Sequence, residues 1–302
     1  MSRRTVALDS VPGLGGLYAS AAASHLGSVV RPGRAQGPMR LPDLEYGVQG
    51  VRADPRRLHA YQRMMGDTLR DALPSVFVHG MVFPVAMTVL ADRAFPLPLL
   101  GMIHLANETE HLRAIGADET LAVRVWAENL RPHHAGTMVD LVSEASVSED
   151  LVWRGVSTYL AKGIWNGARP MRPAREDPAA EGPATGVWRL GADTGRRFAG
   201  VLGDYNPIHL GLAPARALGM RRHIAHGMYL AGRALAATAP HDGGHAWSVA
   251  FESPVSLPGT VRLRVETRGA EKRFAGWTAD STRRHFSGSV RPYHGAGAGE
   301  SG

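Results

Sequence analysis

Two hydrophobic rhythms run along the chain. Leu121, Val123, Val125 and Ala127 alternate with Arg124, Trp126 and Glu128, a period of two that predicts a β-strand. Val139, Leu141, Ser143, Ala145 and Val147 keep the same beat, and Val152 to Leu160 predicts another strand. Further on, Val261, Leu263 and Val265 alternate with Arg262, Arg264 and Glu266, with later strands expected near Trp277 and from Phe286 to Val290. Between these stretches lie apolar runs of helical character, Val85 to Leu90 and Leu230 to Ala237. Each follows a similar segment: Phe77-Val78-His79-Gly80-Met81 in the first case, Ile224-Ala225-His226-Gly227-Met228 in the second. A helix is also expected ahead of each segment. Asp54 caps a run that Pro55 opens through Leu58 and Tyr61, and Asp193 opens a run through Phe198 and Leu202. A largely apolar helix followed by long alternating strands suits an antiparallel sheet wrapped around that helix. The predicted class is α+β, with the unit duplicated.

The punctuation divides the chain accordingly. Residues 1–40 are rich in Gly, Ala and Ser and form an N-terminal extension, with a short helix expected from Leu17 to Leu26. The first repeat is expected over 41–166 and the second over 187–293. Between them, over 167–186, Pro170, Pro173, Pro178 and Pro183 predict an extended linker, because proline fixes φ and removes a donor. The Gly-rich tail 294–302 is expected to be disordered. Superposing the two capped helices sets Gly66-Asp67 against Gly203-Asp204. Leu69, Arg70 and Ala72 then stand where the second repeat has Asn206, Pro207 and His209, and the gap to the next His-Gly is shorter in the first repeat. The first repeat reads as a degenerate copy that has kept the scaffold and lost the chemistry.

Composition narrows the field. With 302 residues the chain has room for two cores, and no apolar run approaches the ~20 residues of a membrane-spanning helix. Asp9, Pro12 and several glycines interrupt the segment after Arg3-Arg4, so no signal peptide is expected and the cytoplasm is the expected compartment. Cysteine is absent, which removes disulfides, thiolate nucleophiles and Cys-ligated zinc. The net charge of +7 is carried by arginine, with Lys162 and Lys272 the only lysines. Such a balance is compatible with a phosphate-bearing substrate or an acidic carrier protein. No basic run interleaves with aromatics, so nucleic acid is not an expected partner.

The chemistry concentrates in Gly203-Asp204-Tyr205-Asn206-Pro207-Ile208-His209. Asn-Pro forces a turn between Asp204 and His209, and the two side chains are the commonest general acid/base groups near neutral pH. Downstream, Gly227 stands at the start of an apolar helix, where unpaired amides and partial positive charge can polarise a carbonyl oxygen. A base, an acid and an oxyanion donor together point to proton movement beside a carbonyl. His226 reads as a buried structural histidine or as a substrate contact. His223 and His226 have metal-like spacing, but no third ligand stands at a useful distance, so no metal site is expected. His133, His134, His241 and His245 are expected in solvated turns. Arg233 sits unusually on the central helix, near an exposed end or reaching for a substrate phosphate.

The Gly203–His209 motif, followed by Ile224–Met228, resembles the signature of the MaoC-like, R-specific hydratase 2 family. Leu100-Gly101-Met102-Ile103-His104 and Val123 to Arg131 extend the resemblance to double hot-dog 3-hydroxyacyl-thioester dehydratases of actinobacterial type, over roughly 41–293. The resemblance implies a double hot-dog fold and a hydro-lyase of fatty-acid metabolism acting on acyl-CoA or acyl carrier protein thioesters. It implies that Asp204 and His209 hold the water that adds to C3, that the Gly227 amide binds the thioester oxygen, and that Asn206 and His226 contact substrate or loop. Some relatives carry a serine where this chain has Leu235. No cofactor is implied, and a homodimer is compatible. Loss of the loop from the first repeat makes room for a long acyl chain. A hot-dog thioesterase and a non-catalytic acyl-thioester-binding subunit are the alternatives.

Overall fold

The computed structural model describes residues 3–17, 38–167, 169–173, 182–218, 220–240 and 243–293. The expected helix from Leu17 to Leu26 lies outside these residues beyond Leu17, as do most of the linker's charged stretch and the tail from 294.

In chain order the elements are β1 (Arg4–Leu8), β2 (Leu44–Arg52), α1 (Pro55–Met65), α2 (Ser75–Ala91), β3 (Met102–His111), β4 (Thr120–His133), β5 (Gly136–Val147) and β6 (Asp150–Lys162). There follow β7 (Gly186–Leu190), α3 (Thr194–Leu202), α4 (Pro207–Leu210), α5 (Leu212–Ala217), α6 (Gly227–Thr238), β8 (His245–Phe251), β9 (Gly259–Arg268), β10 (Glu271–Trp277) and β11 (Arg284–Pro292). The strands form an 11-stranded sheet in the order β1-β2-β4-β5-β6-β3-β8-β11-β10-β9-β7. Read outward from the β3–β8 pair, each half repeats one pattern, so β2, β4, β5, β6 and β3 correspond to β7, β9, β10, β11 and β8. The fold is the α+β double hot-dog, with α2 and α6 as the central helices. Among the described strands, only β1 breaks the symmetry; it adds to the outer edge by parallel pairing, Arg4 opposite Leu44 through Leu8 opposite Val48.

The alternating stretches form strands because their apolar faces meet a helix. Leu121, Val123, Val125, Val139, Leu141 and Ala145 are all buried, as are Val261 and Leu263. Helix α2 is apolar on nearly every side, burying Val76, Val78, Val82, Val85 and Val89 among others, as a helix enclosed by a sheet must. Asp54 caps α1 as expected, its carboxylate accepting from the Arg56 and Arg57 amides with Pro55 at the first helical position. Asp193 stands at the N-cap of α3 but makes no side-chain cap bond.

The correspondence between the halves differs from the one read in sequence. Ala72 bridges Gly116 two residues before the N-cap of α2, Pro74; Ile224 bridges Ser256 two residues before the N-cap of α6, His226. Ala72 therefore matches Ile224 rather than His209, and Ser75 matches Gly227. Gly80 matches Gly232, not Gly227, and both serve packing. A Cβ on Gly80 would stand 2.7 Å from Leu202 at the end of α3, and one on Gly232 2.8 Å from Met65 at the end of α1. Matching His79-Gly80 to His226-Gly227 slipped because α2 starts more than a turn earlier than its apolar run suggested. Pro74 follows Gly66 by eight positions and His226 follows Gly203 by twenty-three. The second half thus carries a fifteen-residue insertion, and Leu69, Arg70 and Ala72 are not degenerate copies of Asn206, Pro207 and His209.

The halves join at β3–β8, antiparallel from Ala106 opposite Ala250 to His111 opposite His245. His245 is no solvated turn residue: it is buried in β8, its ring stacked on His111 at 4.9 Å. Solvation was expected from its glycine-rich neighbours, but the strand pairing encloses it; His241 lies outside the described residues. Beside the seam, Ser75 Oγ accepts from Trp153 Nε1 at 2.9 Å and from Trp247 Nε1 at 2.8 Å, one indole from each half. All three residues are buried. Ser75→Ala strands two buried indole N–H groups, each costing about 1–3 kcal/mol, so urea denaturation should show a loss of roughly 2–5 kcal/mol; a loss below 1 kcal/mol would contradict the pairing.

Candidate active site

The insertion builds the site. Helix α3 ends at Gly203, whose φ of +85° is the left-handed conformation that glycine accepts most readily, and its amide bonds to Ala199 O at 2.7 Å. The chain turns there, and Asp204 Oδ1 accepts the Asn206 amide at 3.2 Å. Asn206 in turn caps the four-residue α4, its Oδ1 accepting from the Ile208 amide at 3.3 Å with Pro207 at the first position. The sequence Asp-Tyr-Asn-Pro is thus a pair of linked side-chain turns that hold Asp204 and His209 in fixed relation. Ile224 returns to this loop, its amide donating to Ile208 O at 3.1 Å.

His209 is buried, and its Nδ1 lies 2.8 Å from Ile224 O. A carbonyl only accepts, so Nδ1 carries the proton and Nε2 presents a lone pair. Burial pushes its pKa down to about 3, with the neighbouring His226 adding to the effect and Asp204 opposing it. The ring is therefore a neutral base at physiological pH. His226 stacks on it with centroids 3.7 Å apart and places Nε2 3.0 Å from Asp204 O and 3.7 Å from Asp204 Oδ2. It ties the Asp204 turn to the N-terminus of α6, and burial lowers its pKa to about 4. Ligand atoms of Asp204, His209 and His226 all lie within 4.8 Å of one another, a span that leaves room for one water between acid and base. The same three side chains form a possible metal trio, but stacked imidazoles 28° apart direct their lone pairs in nearly parallel planes, a poor match to a tetrahedral ion. His223 takes no part, bonding Ala192 O through Nε2 at 3.0 Å.

Gly227 is the first residue of α6, so its amide has no acceptor within the helix. A Cβ there would come within 2.8 Å of the Phe251 ring, which leaves the backbone open to a ligand only while the side chain is absent. Asp204, Asn206, His209, His226 and Gly227 all line one cavity of about 500 Å³. From the first half it takes Phe83, Met87 and Leu90 of α2, with Leu99 and Met102. Tyr159 and His104 line it too, their rings stacked at 4.6 Å, with Asp204 close enough to raise the Tyr159 pKa further after burial has raised it. The register of β3 against β6 shifts between His104 and Ala106, a bulge that turns His104 toward the cavity. Its Nε2 is shielded and has no hydrogen-bond partner among the described residues. These two residues were not singled out in sequence as site residues; an imidazole at the end of an otherwise apolar strand start was the available signal. Arg233 lies elsewhere, its guanidinium 4.8 Å above the Trp188 ring.

The family model described as "MaoC like domain" matches residues 175–285. The 3-hydroxyacyl-thioester dehydratase X of Mycobacterium tuberculosis is 35% identical over 228 residues, covering 75% of this chain and 81% of that protein. The chain belongs to the MaoC-like dehydratase family. A crystal structure of HtdX from the same organism superposes with a TM-score of 0.72 at 32% identity, covering 82% of this chain and 99% of that one. A MaoC-like dehydratase from Phytophthora capsici shares the fold, with a TM-score of 0.64 at 16% identity over 88% of this chain and 100% of that one. In this MaoC-like chain the motif residues and the helix N-terminus line the same cavity, and both halves supply its apolar lining, Phe198, Met228 and Phe251 from the second facing Phe83, Met87 and Leu90 from the first. No helix among the described residues is long and apolar enough to cross a membrane.

The site's histidines set an acid limit on stability. Burial lowers the folded-state pKa of His79 and His226 to about 4, and of His104 and His209 to about 3, from 6.5. Below pH 6.5 the unfolded chain binds more protons than the folded one, so stability is full above that pH and falls as pH drops toward 4. Each such histidine contributes about 1.4 kcal/mol per pH unit. Urea midpoints should fall steadily from pH 7 to pH 5; a flat profile would show that these rings titrate alike in the folded and unfolded chain.

Proposed function

We propose that this chain reversibly dehydrates 3-hydroxyacyl thioesters to trans-2-enoyl thioesters, as an R-specific hydro-lyase of fatty-acid metabolism with Asp204 and His209 as its acid/base pair. The observation that carries the reading is the convergence of a neutral His209 Nε2, the Asp204 carboxylate and the α6 N-terminus at one end of an apolar cavity.

In the hydration direction, a water held between Asp204 and His209 adds through its oxygen to C3. One of its protons passes to the dyad. The C2=C3 electron pair shifts toward the thioester carbonyl, whose oxygen becomes an enolate held by the Gly227 amide. The dyad returns a proton to C2, the enolate collapses to the thioester, and the 3-hydroxyacyl product forms with no net change in the enzyme. Dehydration runs the same steps backward. His226 positions the Asp204 turn, and Asn206 fixes the turn and borders the substrate. The acyl chain lies along α2, where the first half has no insertion to obstruct it; the carrier is CoA or an acyl carrier protein. No step calls for a metal or redox cofactor. A pairing of two such chains is compatible with the site and needs no residue lent between them, since both halves of the cavity come from one chain.

Loss of enoyl absorbance on adding crotonyl and longer enoyl thioesters is the direct assay. Asp204→Asn and His209→Ala should each lower kcat by about 10²–10⁴-fold with the fold retained; an active double variant would move the chemistry elsewhere. Release of free thiol from the same substrates would instead identify a thioesterase. Because His209 is neutral down to about pH 3, protonation of this ring should not shape the kcat/KM profile between pH 8 and pH 5. An acid limb centred near 6.5 that disappears in His209→Ala would overturn that assignment.

A further inference from the structure

The insertion that brings the catalytic loop also brings charge. The 22 residues from Tyr205 to His226 contain Arg216, Arg221 and Arg222 and no carboxylate. All three arginines are exposed, and none has an ion-pair partner among the described residues. Arg196 and Arg197 on the exposed side of α3 extend the patch: Arg196 Nη1 donates to Leu210 O of α4 at 3.1 Å, which places it against the insertion. Asp193, 4.0 Å from Arg197, and Asp204, directly before the stretch, are the carboxylates nearby. Elsewhere on the second half Arg268 pairs with Glu266, Arg273 with Glu271 and Arg284 with Glu252, whereas Arg189, Arg262, Arg283 and Arg291 are exposed without such a pair among the described residues. What marks the insertion is clustering: three exposed arginines fall within Arg216–Arg222 with no carboxylate among them.

The patch adjoins the cavity. Met220, directly before Arg221-Arg222, lines it, and Glu252 and Pro254 form exposed parts of the same lining. Glu252 does not oppose the arginines, since Arg284 Nε holds it at 2.6 Å. Three large apolar side chains, Tyr205, Leu212 and Leu218, are exposed on the same insertion, at 49%, 42% and 44%. Arginine interspersed with exposed tyrosine and leucine is the composition of a protein-binding surface; a bare nucleotide site needs the cations and not the leucines.

We infer that the α4–α5 insertion is a docking surface for the acidic face of an acyl carrier protein, seated so that its phosphopantetheine arm enters the cavity past Met220. The inference rests on the dehydratase reading and refines it by naming the carrier. Arg216, Arg221 and Arg222 steer the carrier and hold it, Leu212 and Leu218 contact its apolar side chains, and the chemistry inside is the same for any thioester.

The test uses the full chain and a triple variant, Arg216→Glu, Arg221→Glu and Arg222→Glu, with the triple Gln variant in case charge reversal disturbs folding. A control carries Arg189→Glu and Arg262→Glu, exposed on the same half away from the insertion. Matched enoyl groups are presented on acyl carrier protein, on CoA and on N-acetylcysteamine, at low and high salt. The triple variant should lose at least about tenfold in kcat/KM with the carrier protein, through KM, and the loss should shrink at high salt. N-acetylcysteamine thioesters should be turned over unchanged, CoA thioesters within about threefold, and the control should match the parent. An equal loss with CoA would mean that the arginines read nucleotide phosphates, and the inference would fail; so would an unchanged KM for the carrier protein, or an equal loss in the control. Direct titration with holo carrier protein supplies a readout free of catalysis: salt-sensitive binding to the parent, lost in both triple variants. If the parent turned over no thioester yet bound the carrier in this way, the dehydratase reading would fail and the docking surface would stand.

Discussion

The antiparallel pairing of β3 with β8 is the interaction on which the rest of the molecule depends. It makes two sheets continuous, so that the helix of one half lies beside the insertion of the other. The loop that bears Asp204 and His209 belongs to the second half, yet the cavity it faces is also lined by α2, β3 and β6 of the first. Asp204 and His209 face a cavity whose lining comes from both halves, and burial keeps His209 neutral. The Ser75 hydroxyl, shared between Trp153 and Trp247, pins the same junction from the helix side.

Duplication followed by unequal insertion explains how one chain makes a single site of this kind among its described residues. The two halves share helix, sheet order and the close glycine contacts at Gly80 and Gly232. What separates them is fifteen residues between the first helix and the second. Where those residues are present, the chain makes two linked side-chain turns, a short helix bearing His209 and a basic rim. Where they are absent, the chain passes directly from Asp67 to Pro74. The contrast is one of insertion more than of point-by-point decay.

The buried imidazoles show how the fold tunes reactivity without a nearby cation. His209 donates through Nδ1 to a backbone carbonyl, which leaves Nε2 as the basic nitrogen. His226 stacks on it and reaches back to the Asp204 carbonyl, so both rings and the carboxylate are set by backbone groups of the same insertion. Burial then favours the uncharged ring, the form needed to accept a proton.

Much of this was legible in the sequence, and the reason is local. Strand alternation in Leu121–Ala127 and Val261–Val265, the Asp54-Pro55 cap, and the Asp-Tyr-Asn-Pro turn all depend on short-range sterics and hydrogen bonding, which a sequence displays directly. The motif from Gly203 to His209 and the helix start at Gly227 therefore identified the family and the candidate residues. Alignment of the two halves was not local. Pairing His79-Gly80 with His226-Gly227 relied on similar letters, whereas the true equivalence, Ser75 with Gly227, is set by where each helix begins against its sheet. His245 was misread for the same kind of reason, since only strand pairing buries it against His111. His104 and Tyr159 reach the site through a β-bulge and strand pairing between distant segments; His104 leaves only an imidazole in an otherwise apolar strand start as its mark, and Tyr159 leaves none. The sequence by itself determined the chemistry on offer and the elements that carry it. The tertiary structure decided which groups share a cavity, because that depends on long-range pairing of strands across the two halves.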